Sequence, residues 1–109
     1  MLDIRYYVAA GGDQPFADWY AELEAAARAK VARAIVRLGQ GNLSNVKSVG
    51  GGVLEYRIEF GPGYRVYFGR DGETLVILLT GGTKRRRQRD IDAAHGFWQD
   101  YKQSKRVRR

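Results

Sequence analysis

Residues 53–84 read VLEYRIEFGPGYRVYFGRDGETLVILLTGGTK, and this stretch decides the fold. Three runs rich in β-branched and aromatic residues are separated by Gly61-Pro62-Gly63 and by Asp71-Gly72. Both breaks carry residues that favour chain reversal, and Asp-Gly suits a tight hairpin because both residues tolerate positive φ. The expected product is three consecutive antiparallel strands over about 53–60, 64–70 and 74–80. Side chains alternate between the faces of a strand. Leu54, Tyr56, Ile58 and Phe60 share one face with Tyr64, Val66 and Phe68. Glu55, Arg57, Glu59, Arg65 and Tyr67 share the other. Leu75 to Leu79 is apolar on both faces, which places the third strand centrally or under cover. The face bearing Arg57, Glu59, Arg65 and Tyr67 is expected to be an open working surface.

Upstream, Ile4 to Ala9 reads as a short strand broken by Gly11-Gly12. Asp13 can cap a helix, and Pro15 fits a first helical turn. Phe16, Trp19, Tyr20, Leu23, Ala27, Val31, Ala34, Ile35 and Leu38 recur at three- and four-residue spacing. That is the apolar stripe of an amphipathic helix or a helical hairpin. Ala25-Ala26-Ala27 is either helix interior or a break between two helices. Gly39 and Gly41 end the segment. Residues 42–52 (NLSNVKSVGGG) read as a polar connector. Downstream, Gly81-Gly82 reads as a turn into a basic block. A last helix over about 88–103 carries the stripe Ile91, Ala94, Trp98 and Tyr101. The fold class is α+β: an N-terminal strand, a helical hairpin, a three-stranded antiparallel meander and a C-terminal helix.

At 109 residues, with 44% hydrophobic and 28% charged residues, the chain has the size and composition of one globular domain, 1–109. It has no cysteine, so neither disulfide nor thiolate chemistry is open to it. A single histidine, His95, excludes the usual zinc ligand sets and reads as structural. The glycine-rich stretches lack the GxxxxGK[ST] spacing of a nucleotide-binding loop. No signal peptide or membrane-spanning run is visible, and a cytoplasmic location is expected. The net charge is +7. Residues 1–83 carry nine Lys/Arg and nine Asp/Glu, whereas 84–109 carry ten and three. The whole excess therefore lies at the C-terminal end. A localised basic block, Lys84, Arg85, Arg86, Arg87 and Arg89, is the footprint of a polyanionic partner. Residues 105–109 read as a flexible basic tail.

The element order is similar to that of the RelE/ParE superfamily of bacterial toxins. It is closest to the phage-derived addiction module killer protein branch, often termed HigB-like. The resemblance is carried by Pro15-Phe16-Ala17-Asp18-Trp19, Gly41-Asn42 with Lys47, Gly52-Val53-Leu54-Glu55-Tyr56-Arg57-Ile58 and Gly61-Pro62-Gly63-Tyr64-Arg65-Val66-Tyr67-Phe68. It continues through Leu78-Leu79-Thr80-Gly81-Gly82-Thr83-Lys84, Gln88 and Asp90-Ile91. The resemblance implies a RelE-like fold and the toxin of a type II toxin–antitoxin module. It implies ribosome-dependent cleavage of mRNA, and silencing by an antitoxin that carries a helix-turn-helix. Relatives that poison gyrase imply a protein target as the alternative, and a non-toxic RNA-binding accessory is a third reading. Arg65 matches the arginine of the family's GYR motif, Arg57 the basic residue of the preceding strand, and Lys84 with Arg85 the basic pair after the last strand. Glu59 stands where some mRNA-cleaving members carry a second basic residue. Ile91 stands where some carry a base-stacking aromatic residue.

RNA is cut when its 2′-oxygen attacks the adjacent phosphate, a reaction that needs no metal and no cofactor. A protein assists by taking the 2′ proton, neutralising the phosphorane and protonating the leaving oxygen. Arg57 and Arg65, adjacent on one face, can fork onto phosphate oxygens. Lys84 adds charge at the mouth of the sheet. Arg57 is open to an ion pair with Glu55 or Glu59, and Glu59 is open to that reading or to the role of general base. Tyr67 is suited to stacking on a base or donating a hydrogen bond, or serves simply as a good strand residue. Arg85, Arg86, Arg87 and Arg89 are expected to contact RNA non-specifically. An acidic antitoxin segment laid over the polar face would screen Arg57, Arg65 and the basic block.

Overall fold

The structure, a computed structural model, describes residues 1–107, with side chains as far as Lys105. The chain is α+β. Its elements are β1 (Asp3–Tyr6), α1 (Pro15–Ala21), α2 (Ala25–Gly39), β2 (Val46–Ser48), β3 (Val53–Ile58), β4 (Tyr64–Asp71) and β5 (Leu75–Thr83). A single 3₁₀ turn, Lys84–Arg86, leads into α3 (Arg87–Val107). The strands form one mixed sheet in the order β1-β5-β4-β3-β2. β1 runs parallel to β5, and the other pairings are antiparallel.

Pro15 occupies the first turn of α1, where its missing N–H costs nothing. The helical hairpin breaks at 22–24, just before the alanine run, so Ala25 opens α2. The Arg28 guanidinium donates to the Leu23 carbonyl and ties this corner. Ala27, Val31, Ala34 and Leu38 form the buried stripe of α2. They pack with Phe16 of α1 against Tyr56, Ile58, Tyr64, Val66, Phe68, Val76 and Leu78. The second core lies on the opposite face of the sheet. There Ile91, Ala94 and Trp98 of α3 meet Val53, Tyr67, Ile77 and Leu79.

This second core corrects the expectation of an open polar face, because α3 lies across it. Val53, Ile77 and Leu79 share that face with the charged residues and would otherwise meet water. Burying a large apolar side chain is worth about 1.5–3 kcal/mol, which favours the cover. β5 is buried on both faces and lies between β1 and β4, as its sequence demanded.

Other boundaries moved for local reasons. The connector 42–52 contains β2, which pairs Val46–Ser48 with Tyr56–Leu54. Gly81 and Gly82 belong to β5 instead of forming a turn. A Cβ on Gly81 would lie 2.3 Å from ring carbons of Trp19, and one on Gly82 would lie 2.0 Å from Asp90 Oδ2. These glycines are therefore notches into which a ring and a carboxylate settle. Gly81→Ala is expected to destabilise the fold by about 1–3 kcal/mol through overpacking. Thermal melting reads this, and an unchanged midpoint would contradict the seating of Trp19. The second hairpin has a three-residue loop, because Asp71 pairs with Leu75 and only Gly72 takes positive φ. Asp71 is held to the strand end through its carboxylate, which accepts bonds from Tyr101 Oη and Lys105 Nζ at 2.6 Å each. Lys105, expected to open a loose tail, thus lies inside α3. Arg108 and Arg109 fall outside the described residues. Among the described residues no helix is long and apolar enough to cross a membrane.

Candidate anion-binding site

The first hairpin places Arg57 directly opposite Arg65, and Glu55 opposite Tyr67. All four side chains rise from the face that α3 covers. Glu55 is the hub. Its side chain is fully buried, yet Arg57 Nε donates to Oε1 at 3.2 Å and Tyr67 Oη donates to Oε2 at 2.9 Å. Arg87, from the first turn of α3, donates Nε to Oε2 at 2.9 Å and Nη2 to Oε1 at 3.3 Å. Burial pushes the Glu55 carboxyl up, but the bonds from Arg87, Tyr67 and Arg57 outweigh it and hold the group below the usual carboxylate range. Burial and the bond to Glu55 raise the Tyr67 hydroxyl well above its ordinary value.

Arg65 is the exception in this cluster. Its side chain is 7% exposed, and its Nε stands 4.0 Å from Glu55 Oε2, beyond hydrogen-bond reach. That Nε is buried and has no partner. Three guanidiniums around one carboxylate leave two positive charges uncompensated. A buried donor without an acceptor costs free energy, a cost that Arg70 Nε, near the far end of β4, also bears.

Lys84 joins from the far side. Its backbone N–H donates to the Gly63 carbonyl at 2.9 Å. A Cβ on Gly63 would lie 3.4 Å from Lys84 Cβ and 3.9 Å from Arg65 Nη1. The Gly61-Pro62-Gly63 turn therefore sets Lys84 beside Arg65, and Gly63, at φ +78°, keeps the approach clear. Asp90 closes the border, with its carboxylate over Gly82, the cross-strand neighbour of Arg65. Burial holds the Asp90 carboxyl above the usual range, although Arg89 and Arg86 pull it down. The nearest cation is Arg89, with Nε at 4.0 Å.

Arg57 and Arg65 are cross-strand neighbours and Lys84 lies across Gly63 from Arg65, but Arg65 is buried where an uncovered face was expected. Several other residues also stand elsewhere than the sequence suggested. Tyr67 is fully buried beneath α3, so its ring cannot stack on a base. Arg87 is an anchor of Glu55, not a loose RNA contact. Glu59 lies exposed just beyond β3, and it is Glu55 that forms the ion pairs. Lys84, Arg85, Arg86 and Arg89 are exposed on the helix entry. His95 is structural, with Nε2 3.0 Å from the Val49 carbonyl, an arrangement that requires the proton on that nitrogen. Asp90 was missed, and Glu55 was foreseen only as an ion-pair partner of Arg57, not as the hub. The period-two rule already put Glu55 on the face of Arg57, Arg65 and Tyr67, and the hairpin register would have centred it.

Among the described residues no group of three or more carboxylates and histidines could hold a metal ion. The arrangement is suited to seizing a dianion or a phosphodiester between Arg57, Arg65 and Lys84. Comparison with known sequences agrees on kinship. A protein of uncharacterised function from Haemophilus influenzae is 44% identical over 80 residues, which is 72% of this chain and 81% of the relative. The profile of the phage-derived Gp49-like proteins (DUF891) matches residues 18–95, from within α1 through β2 to β5 and the cluster to the middle of α3. The chain belongs to this Gp49-like family, which is related to toxin–antitoxin modules.

Proposed function

We propose that the protein is the toxin of a type II toxin–antitoxin module, with the RelE/ParE fold of the HigB-like branch, and that it cuts mRNA on the ribosome. The observation that supports this reading is the gathering of Arg57, Arg65 and Lys84 at the first hairpin, with more positive than negative charge around Glu55. The 2′-oxygen attacks phosphorus and the bond to the 5′-oxygen breaks, leaving a 2′,3′-cyclic phosphate and a 5′-hydroxyl. Arg57, Arg65 and Lys84 neutralise the charge that gathers on the phosphorane. Glu55 accepts no proton from RNA, because Arg57, Arg87 and Tyr67 occupy it. It orients the guanidiniums instead. Asp90, at the border of the cluster, and Glu59, exposed just beyond β3, are the carboxylates left to carry the 2′ and 5′ protons. An antitoxin silences the site in the resting cell.

Transcript ends test this directly. After induction, primer extension is expected to show cuts within translated frames. The downstream fragments should accept label from polynucleotide kinase without prior phosphatase treatment. Fragments bearing 5′-phosphate would rule out attack by the 2′-oxygen. Intact transcripts together with DNA-damage signalling would move the target to a protein.

A further inference from the structure

The even charge balance of residues 1–83 conceals a segregation. Asp13, Asp18, Glu22 and Glu24 precede or flank α1, whereas α2 carries Arg28, Lys30, Arg33 and Arg37 and no acid. A merely solvated helix face usually mixes signs at i,i+4 spacing. Arg28 turns back onto the Leu23 carbonyl. Lys30, Arg33 and Arg37 are exposed and line one wall of a groove of about 240 Å³ between α2 and the end of β3. Among the described residues, none of these three has a carboxylate within 4.0 Å. Glu59 is the only acid in the lining. The far wall has little apolar surface to offer a ligand, because Tyr56 and Ile58 are already buried in the core beneath α2. What the groove presents to solvent is positive charge.

We propose that this cationic wall of α2 grips the phosphate backbone of double-stranded RNA. The wall lies on the face of the sheet opposite α3 and the Glu55 cluster, so it adds a second hold and no chemistry. It does not depend on the cleavage reading. Positions 30, 33 and 37 stand three and four residues apart, which keeps them on one side of the helix. From Lys30 to Arg37 is two helical turns, about 10 Å. A lone phosphate cannot serve three cations strung over that length. Each strand of a duplex carries a charge every ~3.4 Å of its axis, so roughly three phosphates fall within it. Single strands are held by aromatic platforms as well as by charge. The ring at this wall, Phe60, is half-buried, with Lys30 Nζ 5.2 Å from its centroid. A paired backbone needs no platform, because the duplex itself holds its phosphates in place. Asn45, exposed at the rim, carries an amide that can donate to and accept from a ribose 2′-hydroxyl, which selects RNA over DNA. Contacts to phosphate and sugar position the protein and read no sequence.

The test titrates the full chain with a short RNA duplex, a DNA duplex of the same sequence and a single-stranded oligoadenylate, over a range of salt concentrations. One variant carries Arg33→Gln and Arg37→Gln. A control of equal charge carries Arg5→Gln and Lys102→Gln, exposed positions outside the groove. Circular dichroism verifies that both fold. On the RNA duplex, the slope of log K against log salt is expected to be shallower by about 2 in the groove variant, at ~0.9 per lost contact. The control should keep the wild-type slope. Arg33→Lys with Arg37→Lys should restore it, since a point charge suffices for phosphate. An unchanged slope in the groove variant overturns the proposal, as does an equal fall in the control. An equal fall on oligoadenylate overturns the choice of a paired backbone, and equal affinity for the two duplexes overturns the choice of RNA. No step of these titrations uses transcript cleavage, so failure of the toxin reading is scored apart from them.

Discussion

Glu55→Ala is expected to cost about 3 kcal/mol of stability or more, the largest effect of any single polar substitution in the chain. The carboxylate is fully buried and accepts from Arg57, Arg87 and Tyr67. Without it, Arg57 and Arg87 regain some hydration, since their side chains are 33% and 36% exposed. Arg65 and the Tyr67 hydroxyl cannot, and an uncompensated guanidinium stays under α3. Acid should act in the same direction. The Glu55 carboxyl sits below its ordinary range in the folded chain, so its contribution is full above the unfolded value, about 4.3, and is lost as pH falls through the folded value. Asp90 works oppositely, because its raised carboxyl favours the folded state at low pH and disfavours it as pH rises. Urea midpoints followed downward from neutral pH should therefore fall more steeply for the wild type than for Glu55→Gln. Parallel curves, or an alanine variant within about 1 kcal/mol of wild type, would show that Glu55 is not the hub.

Arg65→Met should behave in the reverse way. The guanidinium has no hydrogen bond through Nε and its ion-pair distance to Glu55 is 4.0 Å, so little native bonding is lost. Methionine keeps much of the volume beneath α3 and removes a buried charge that lacks a close partner, so the expected cost is small, about 1 kcal/mol. Cleavage of transcripts should nevertheless drop by about a hundredfold or more, the scale of removing one donor that meets a transition-state oxyanion. Under the proposed function the two residues of this cluster divide its roles, Glu55 for the fold and Arg65 for the phosphate. If Arg65→Met unfolds the chain while Glu55→Ala does not, that division is inverted. If Arg65→Met folds and still cuts at wild-type rate, Arg65 has no part in the chemistry.

The meander was legible because its signals are local. Period-two patterning, a Gly-Pro-Gly turn and an Asp-Gly turn fix three strands and sort their faces without help from the rest of the chain. The helical hairpin was legible for the same reason, down to Pro15 in the first turn. β2 was not, since a three-residue strand in a polar, glycine-rich connector has no pattern of its own and exists because β3 offers an edge. The glycines at 81 and 82 misled for a related reason. They read as a turn until Trp19 and Asp90 are seen resting on them.

The cover over the charged face is the more instructive case. Leu75 to Leu79 is apolar on both sides, and Val53 points the same way as Glu55. Those residues already required a lid, and the stripe Ile91, Ala94 and Trp98 supplied one. What the sequence could not convey is where the lid ends. α3 buries Tyr67 and Glu55 while leaving Arg57 and Arg87 a third exposed, and that boundary is set by long-range packing. The cationic wall of α2 was visible in the sequence as well. A net charge summed over 83 residues averaged it against the acids around α1.

The account turns on whether a phosphodiester seats on Arg65, and the Nε–H resonance of that residue reports on it most directly. Titration with a short RNA carrying a 2′-deoxy substitution at the scissile position, followed by ¹H–¹⁵N spectroscopy, should move the Arg65 Nε–H signal saturably downfield. The Nε–H of the distant, exposed Arg5 should stay in place. A saturable shift at Arg65 that is lost in Arg57→Met, with Arg5 unmoved, is the predicted result. Binding that shifts the exposed arginines at 85, 86 and 89 and leaves Arg65 untouched would contradict it.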